Sequence, residues 1–146
     1  MLFARIEPRG DVKGGKAARE TLRAAMLEVY GLELPEIAKT AAGKPYFPAR
    51  PEIYFSISHT KTHVMVALSD KPVGCDIETV REVRGGVAER VFTAEQLRRR
   101  GFFELWTEKE ATFKLFSDVN VDGSFCVNTR WFFGDFYVAA LAFFVV

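Results

Sequence analysis

Charge of one sign is what this sequence most lacks. Its 20 Lys and Arg are matched by 19 Asp and Glu, for a formal net charge of +1. So even a balance gives no long-range pull toward nucleic acid or an anionic membrane, and neither is expected as a partner. Cysteine is scarce as well. Cys75 and Cys126 could pair, but one pair without a secretion signal reads as buried free thiols in a reducing compartment. Residues Met1 to Gly10 carry Arg5, Glu7 and Arg9 and no apolar h-region, so no signal peptide is expected. The apolar run Phe136 to Val146 is too short to span a bilayer as a helix. A cytoplasmic location is the expectation.

What the chain does have is apolar and aromatic mass. Hydrophobic residues make up 49% of it, which excludes disorder. Its 146 residues suit one domain, residues 1–146, with a real core. The 14 phenylalanines imply an aromatic core or an apolar surface used in assembly.

Periodicity places the elements. Leu2 to Ile6 reads as a strand stopped by Pro8 and Gly10. Lys16 to Tyr30 has Ala18, Leu22, Met26 and Val29 at helical spacing, with Gly31 just past its end. Ala42 to Pro45 is a turn. Ile53 to Ile57, His63 to Ser69 and Val73 to Glu78 read as three successive strands, which predicts an antiparallel meander. Val87 to Val91 is a helical turn, and Thr93 is an N-cap leading into Gln96 to Arg100. Arg98 to Arg100 reads as a solvated face. Phe102 to Phe116 is the strongest helix. Phe125 to Phe133 and Phe136 to Val146 flank Gly134-Asp135 as a hairpin. No internal repeat is visible. The fold class is α+β, with a small antiparallel sheet packed against two main helices.

Two stretches carry chemistry. In the strand Gly74-Cys75-Asp76-Ile77-Glu78, alternation puts Asp76 and Glu78 on one face and Cys75 and Ile77 on the other. Paired carboxylates repel and call for something positive between them. In Leu105 to Lys114, Trp106, Glu110 and Phe113 share a helix face, so Glu110 is expected within an apolar stripe. Lys114, one turn on, could answer it as an ion pair. Alternatively, Asp76, Glu78 and Glu110 converge as three hard oxygen donors of the kind that suits Mg²⁺. Without that convergence, the strand is a solvated edge with two exposed acids.

The same stretches resemble a known family. Gly74 to Glu78 resembles the G-(I/V/C)-D-I/V-E motif of 4′-phosphopantetheinyl transferases. Trp106 to Ala111 followed by Lys114 is similar to their W-(S/T)-x-K-E-(A/S)-x-x-K helix. Phe92-Thr93-Ala94-Glu95 matches the segment between those motifs. Gly43-Lys44-Pro45 resembles G-K-P, and Phe55 to Thr60 resembles F-N-I-S-H-S. All stand in the family's order between Gly43 and Lys114, and the match is closer to the surfactin-synthetase-activating type.

The resemblance implies a transferase-like half-fold and a specific reaction. 4′-Phosphopantetheine would move from coenzyme A to a serine of an apo acyl or peptidyl carrier protein, releasing 3′,5′-ADP. Asp76, Glu78 and Glu110 would be Mg²⁺ ligands. Glu110 would also take the serine proton, and Lys114 would stabilise the leaving phosphate. Lys44, Ser58, His59 and Lys109 would hold the phosphates of coenzyme A. Lys16 and Arg19 lie where the family's first helix can reach the nucleotide.

The chain also departs from the family. The K-x-x-G-x-G loop is missing: Lys114 is followed by Leu115 to Asn120, with no glycine before Gly123. That puts the carrier contacts and the turnover rate in question. The part before Gly43 is short against a full first half. A second copy is therefore expected to complete the cleft in a homo-oligomer, with the C-terminal apolar run at the interface. Two alternatives accompany this reading. One is a degenerate relative that binds coenzyme A with little transfer. The other is a non-enzymatic interaction module.

Overall fold

The computed structural model describes residues 1–117 and 126–145. The glycine-poor stretch beyond Lys114, from Asp118 on, lies outside them. The elements are β1 (Leu2–Pro8), α1 (Gly14–Tyr30), β2 (Ala38–Lys39), β3 (Pro45–Tyr46), β4 (Tyr54–His59), β5 (His63–Ser69), β6 (Val73–Thr79), α2 (Val87–Val91), α3 (Ala94–Arg99), α4 (Phe102–Phe116), β7 (Cys126–Phe133) and β8 (Tyr137–Val145). The fold class is α+β, as expected. No helix among the described residues is long and apolar enough to cross a membrane.

Local sequence explains the helices. In α1, Ala18, Leu22, Ala25 and Met26 recur at helical spacing and are buried. Thr93 and Gln96 form a capping box: the Thr93 hydroxyl accepts the Gln96 amide and the Gln96 side chain accepts the Thr93 amide. On α4 the buried row is Phe103, Thr107, Ala111 and Leu115, at intervals of four. This corrects the expected stripe. Phe113 is 71% exposed, and Trp106 and Glu110 are half-buried on the flank of that row.

Among the described residues the strands form two three-stranded antiparallel sheets, ordered β1-β5-β4 and β6-β8-β7, plus a small β2-β3 ribbon. The expected meander is therefore broken. β4 and β5 pair as a hairpin, with Phe55 opposite Leu68, but β6 leaves β5 and pairs with β8, with Asp76 opposite Ala140. Short strands announce themselves in a sequence, whereas their partners depend on long-range packing.

The two sheets have one topology. Each comes from a strand, a helix and two more strands, with the third strand in the middle. α1 packs on β4 and β5, and α4 packs on β6 and β8. The order of layers is helix, sheet, sheet, helix. Leu22, Met26, Phe55, Val66 and Leu68 fill the space between α1 and its sheet. Met65, Ala67, Cys75, Ile77, Ala139 and Leu141 fill the space between the sheets. Ala111 and Leu115 meet Ala140 and Ala142 under α4. Each fully buried Leu, Ile, Met or Phe contributes roughly 1.5–3 kcal/mol. Cys75 is buried as expected, but Cys126 is exposed, and both thiols are free.

Candidate active site

The site grows from the line where the sheets meet. β4 and β6 lie against each other but share no ladder. Their edge groups still need partners. Side chains supply them. The Cys75 amide donates to Ser56 Oγ at 3.0 Å, and the Ile77 amide donates to Ser58 Oγ at 3.2 Å. Lys114 Nζ donates to the carbonyls of Cys75 (3.0 Å) and Ile57 (3.4 Å). Lys44 Nζ donates to the carbonyls of Val73 (3.2 Å) and Lys114 (2.7 Å). The Lys114 carbonyl lies in the last turn of α4, where carbonyls lack helical partners and a cation is favoured.

Gly74 lets α4 come this close. A Cβ on it would overlap the backbone of Ala111 and Leu115. Gly74, Asp76 and Glu78 share the face turned to α4, while Cys75 and Ile77 face the core between the sheets. The alternation read from the sequence therefore holds.

Asp76 is 6% exposed. Its Oδ1 accepts the Ser58 hydroxyl at 3.1 Å and the Lys114 ammonium at 3.2 Å. Its Oδ2 is buried, with no hydrogen-bond partner among the described residues. Burial pushes the carboxyl up to about 6, against the pull of Lys114 and with a smaller push from Glu78. Glu78 is partly exposed and pairs with Arg81 at 3.6 Å. Glu110 stands one turn before Lys114 and so on the same flank of α4.

The three carboxylates are not gathered into a cage. Among the described residues, no three His, Cys, Asp or Glu side chains lie together as a metal site. Lys114 pairs with Asp76, and Arg81 pairs with Glu78. What remains still fits a hard divalent cation: two carboxylates on one strand face, one with a buried oxygen that lacks a partner.

The other expected residues are spread around this centre. Lys44 is buried at the bottom of a cleft of about 190 Å³, which Ser56, Phe113, Lys114 and Ser117 also line. His59 is exposed, and its ring lies on Gly14 at the start of α1, where a Cβ would overlap it. Lys109 is exposed, with its ammonium 5.4 Å from the Trp106 ring centroid. Lys16 and Arg19 are exposed on α1, and Lys16 pairs with Glu20 at 3.9 Å. On the Glu78 side lies a second cleft of about 580 Å³, lined by Arg81, Val87, Val91, Phe102 and Trp106.

Ser56 and Gly74 are the residues that sequence reasoning passed over. Their signal was there. Alternation puts Ser56 beside Ser58 on one face of β4, and Gly74 beside Asp76 on one face of β6.

No family model matches the chain. Individual proteins do. A 4′-phosphopantetheinyl transferase, psf-1, of Bacillus pumilus is 34% identical over 116 residues, which cover 67% of this chain and 50% of that protein. The 4′-phosphopantetheinyl transferase gsp of Aneurinibacillus migulanus is 37% identical over 86 residues, 52% of this chain and 35% of that protein. The 4′-phosphopantetheinyl transferase AcpT of Salmonella typhi is 36% identical over 94 residues, 56% of this chain and 49% of that protein. The chain spans about half the length of psf-1 and AcpT and about a third of gsp. By these matches the chain belongs to the 4′-phosphopantetheinyl transferase superfamily.

Proposed function

We propose that the chain transfers 4′-phosphopantetheine from coenzyme A to a serine of an apo acyl or peptidyl carrier protein, with Mg²⁺ as cofactor. The observation that carries this is Asp76, a buried carboxylate with one oxygen tied to Lys114 and Ser58 and the other unpartnered. Asp76 and Glu78 would hold the metal, with Glu110 as the third carboxylate on the facing helix. When bound, Mg²⁺ neutralises charge on the pyrophosphate and orients it.

The chain's own residues do the rest. The serine oxygen forms a bond to the phosphorus nearer pantetheine, and the bridging bond to the nucleotide phosphate breaks. Glu110 accepts the serine proton. Lys114 faces the leaving 3′,5′-ADP phosphate and offsets its charge. Lys44, His59 and Lys109 hold the remaining phosphate oxygens, while the one hydroxyl proton of Ser58 goes to Asp76. The clefts suit the two ends of coenzyme A: the lysine-floored one its phosphates, the apolar one beside Glu78 its pantetheine arm. Both sides of the line between the sheets come from one chain, and a homo-oligomer that completes the cleft is a separate proposal, which sedimentation of the active protein tests.

The test is incubation with coenzyme A, Mg²⁺ and a panel of apo carrier proteins, read by mass spectrometry. A carrier that gains one phosphopantetheinyl group, and loses the gain in chelator, supports the reading. Calorimetric binding of coenzyme A with no gain on any carrier would instead favour the degenerate relative. The absence of both would leave the non-enzymatic module.

A further inference from the structure

We infer that Ser58 is a positioning residue for Asp76, fixing the carboxylate so that Oδ2 alone is left to a divalent cation. This rests on the reading of Asp76 as a metal ligand given above. It gives the Ser58 hydroxyl proton to Asp76 in place of the coenzyme A phosphate contact that the family resemblance implies.

Donor and acceptor bookkeeping carries the inference. The Ser58 oxygen already accepts the Ile77 amide at 3.2 Å. Its one proton therefore points elsewhere, and Asp76 Oδ1 stands at 3.1 Å to take it. An ammonium has three protons. Those of Lys114 match three acceptors: Asp76 Oδ1, the Cys75 carbonyl and the Ile57 carbonyl. Both donors are thus pinned from the backbone side and both converge on the same oxygen. The carboxylate cannot turn without breaking two bonds at once. Oδ2 is left buried and without a partner among the described residues, on the strand face it shares with Glu78. Partners that orient a ligating carboxylate in this way commonly govern metal affinity by about 10–100-fold.

Mn²⁺ serves as the probe, with its dissociation constant read by electron paramagnetic resonance in the absence of coenzyme A. A phosphate contact or a merely structural hydroxyl would not move that constant. The unaltered chain is expected to bind Mn²⁺, and Asp76→Asn is expected to abolish binding. Ser58→Ala should bind about 10–100-fold more weakly, and Ser58→Thr, which keeps the hydroxyl, should return to the parent value. If Ser58→Ala does not fold, Ser58→Cys keeps the size but weakens both bonds, and it should bind at least about tenfold more weakly. No Mn²⁺ binding by the unaltered chain, or binding that survives Asp76→Asn, overturns the metal reading and this inference with it. Binding that Asp76→Asn abolishes, but that the folded Ser58 variant (Ala, or Cys in its place) keeps at the parent value, overturns this inference alone.

Discussion

Asp76 stores a pH dependence. Its folded carboxyl keeps its proton to about pH 6, whereas the unfolded one ionises near the ordinary value of 3.8. Between those values the folded state binds the extra proton, so this group's contribution is present at low pH and lost as pH rises through 6. In chelator, the stability difference between the parent and Asp76→Asn should therefore change by about 2–3 kcal/mol from pH 4 to pH 7, in favour of the variant at pH 7. Urea titrations at the two values check it, and a flat difference would contradict it. Glu110→Gln keeps the side-chain volume and should slow the proposed phosphopantetheinyl transfer by about 100-fold or more, with an unchanged melting curve. Transfer at the parent rate would remove Glu110 from the mechanism. Much at this scale was legible in the sequence. Strand alternation separated Asp76 and Glu78 from Cys75 and Ile77. The commitment of Lys44 and Lys114 to backbone carbonyls was not legible, because it depends on two strand edges that meet only in the fold.

Gly74 fixes the distance between β6 and α4. Any Cβ there meets helix backbone rather than a movable side chain. Gly74→Ala should push the helix away and destabilise the protein by about 3 kcal/mol or more, at the upper end of overpacking effects. Thermal melts would show it, and a loss below about 1 kcal/mol would mean that the helix yields easily. The bounds of α4 were readable to the residue, since Phe102 to Phe116 is bracketed by Gly101 and by the end of its apolar period. Its buried face was not. Trp106, Glu110 and Phe113 have helical spacing, but so do Phe103, Thr107, Ala111 and Leu115. The small residues Thr107 and Ala111 win because the strands approach closely, which bulky side chains would prevent. Only the packed pair of elements reveals that choice.

At the scale of the molecule, two equivalent strand-helix-strand-strand units share one inner layer. Met65 from the first unit packs with Cys75, Ala139 and Leu141 from the second. The units should unfold together. Both tryptophans, Trp106 and Trp131, lie in the second unit. Met65→Ala should nevertheless shift the tryptophan-monitored transition by about 2–5 kcal/mol, the usual range for emptying such a buried site. A shift seen only by circular dichroism would separate the units. The repeat was invisible in the sequence because it is one of topology. The first unit is written in Leu, Met and Phe and the second in Ala, Cys and Leu, so no residue pattern recurs.

The contrast between the two cysteines has a practical consequence. Cys75 is buried and its thiol is pushed up to about 11, whereas Cys126 stands exposed at the start of β7, an outer strand. The native protein should take up a single maleimide, at Cys126, and a second only in denaturant, as intact-mass spectra would show. Nature has thus left one chemical handle on the far rim of the second sheet. A spin label or fluorophore attached there could follow substrate docking without any engineered residue.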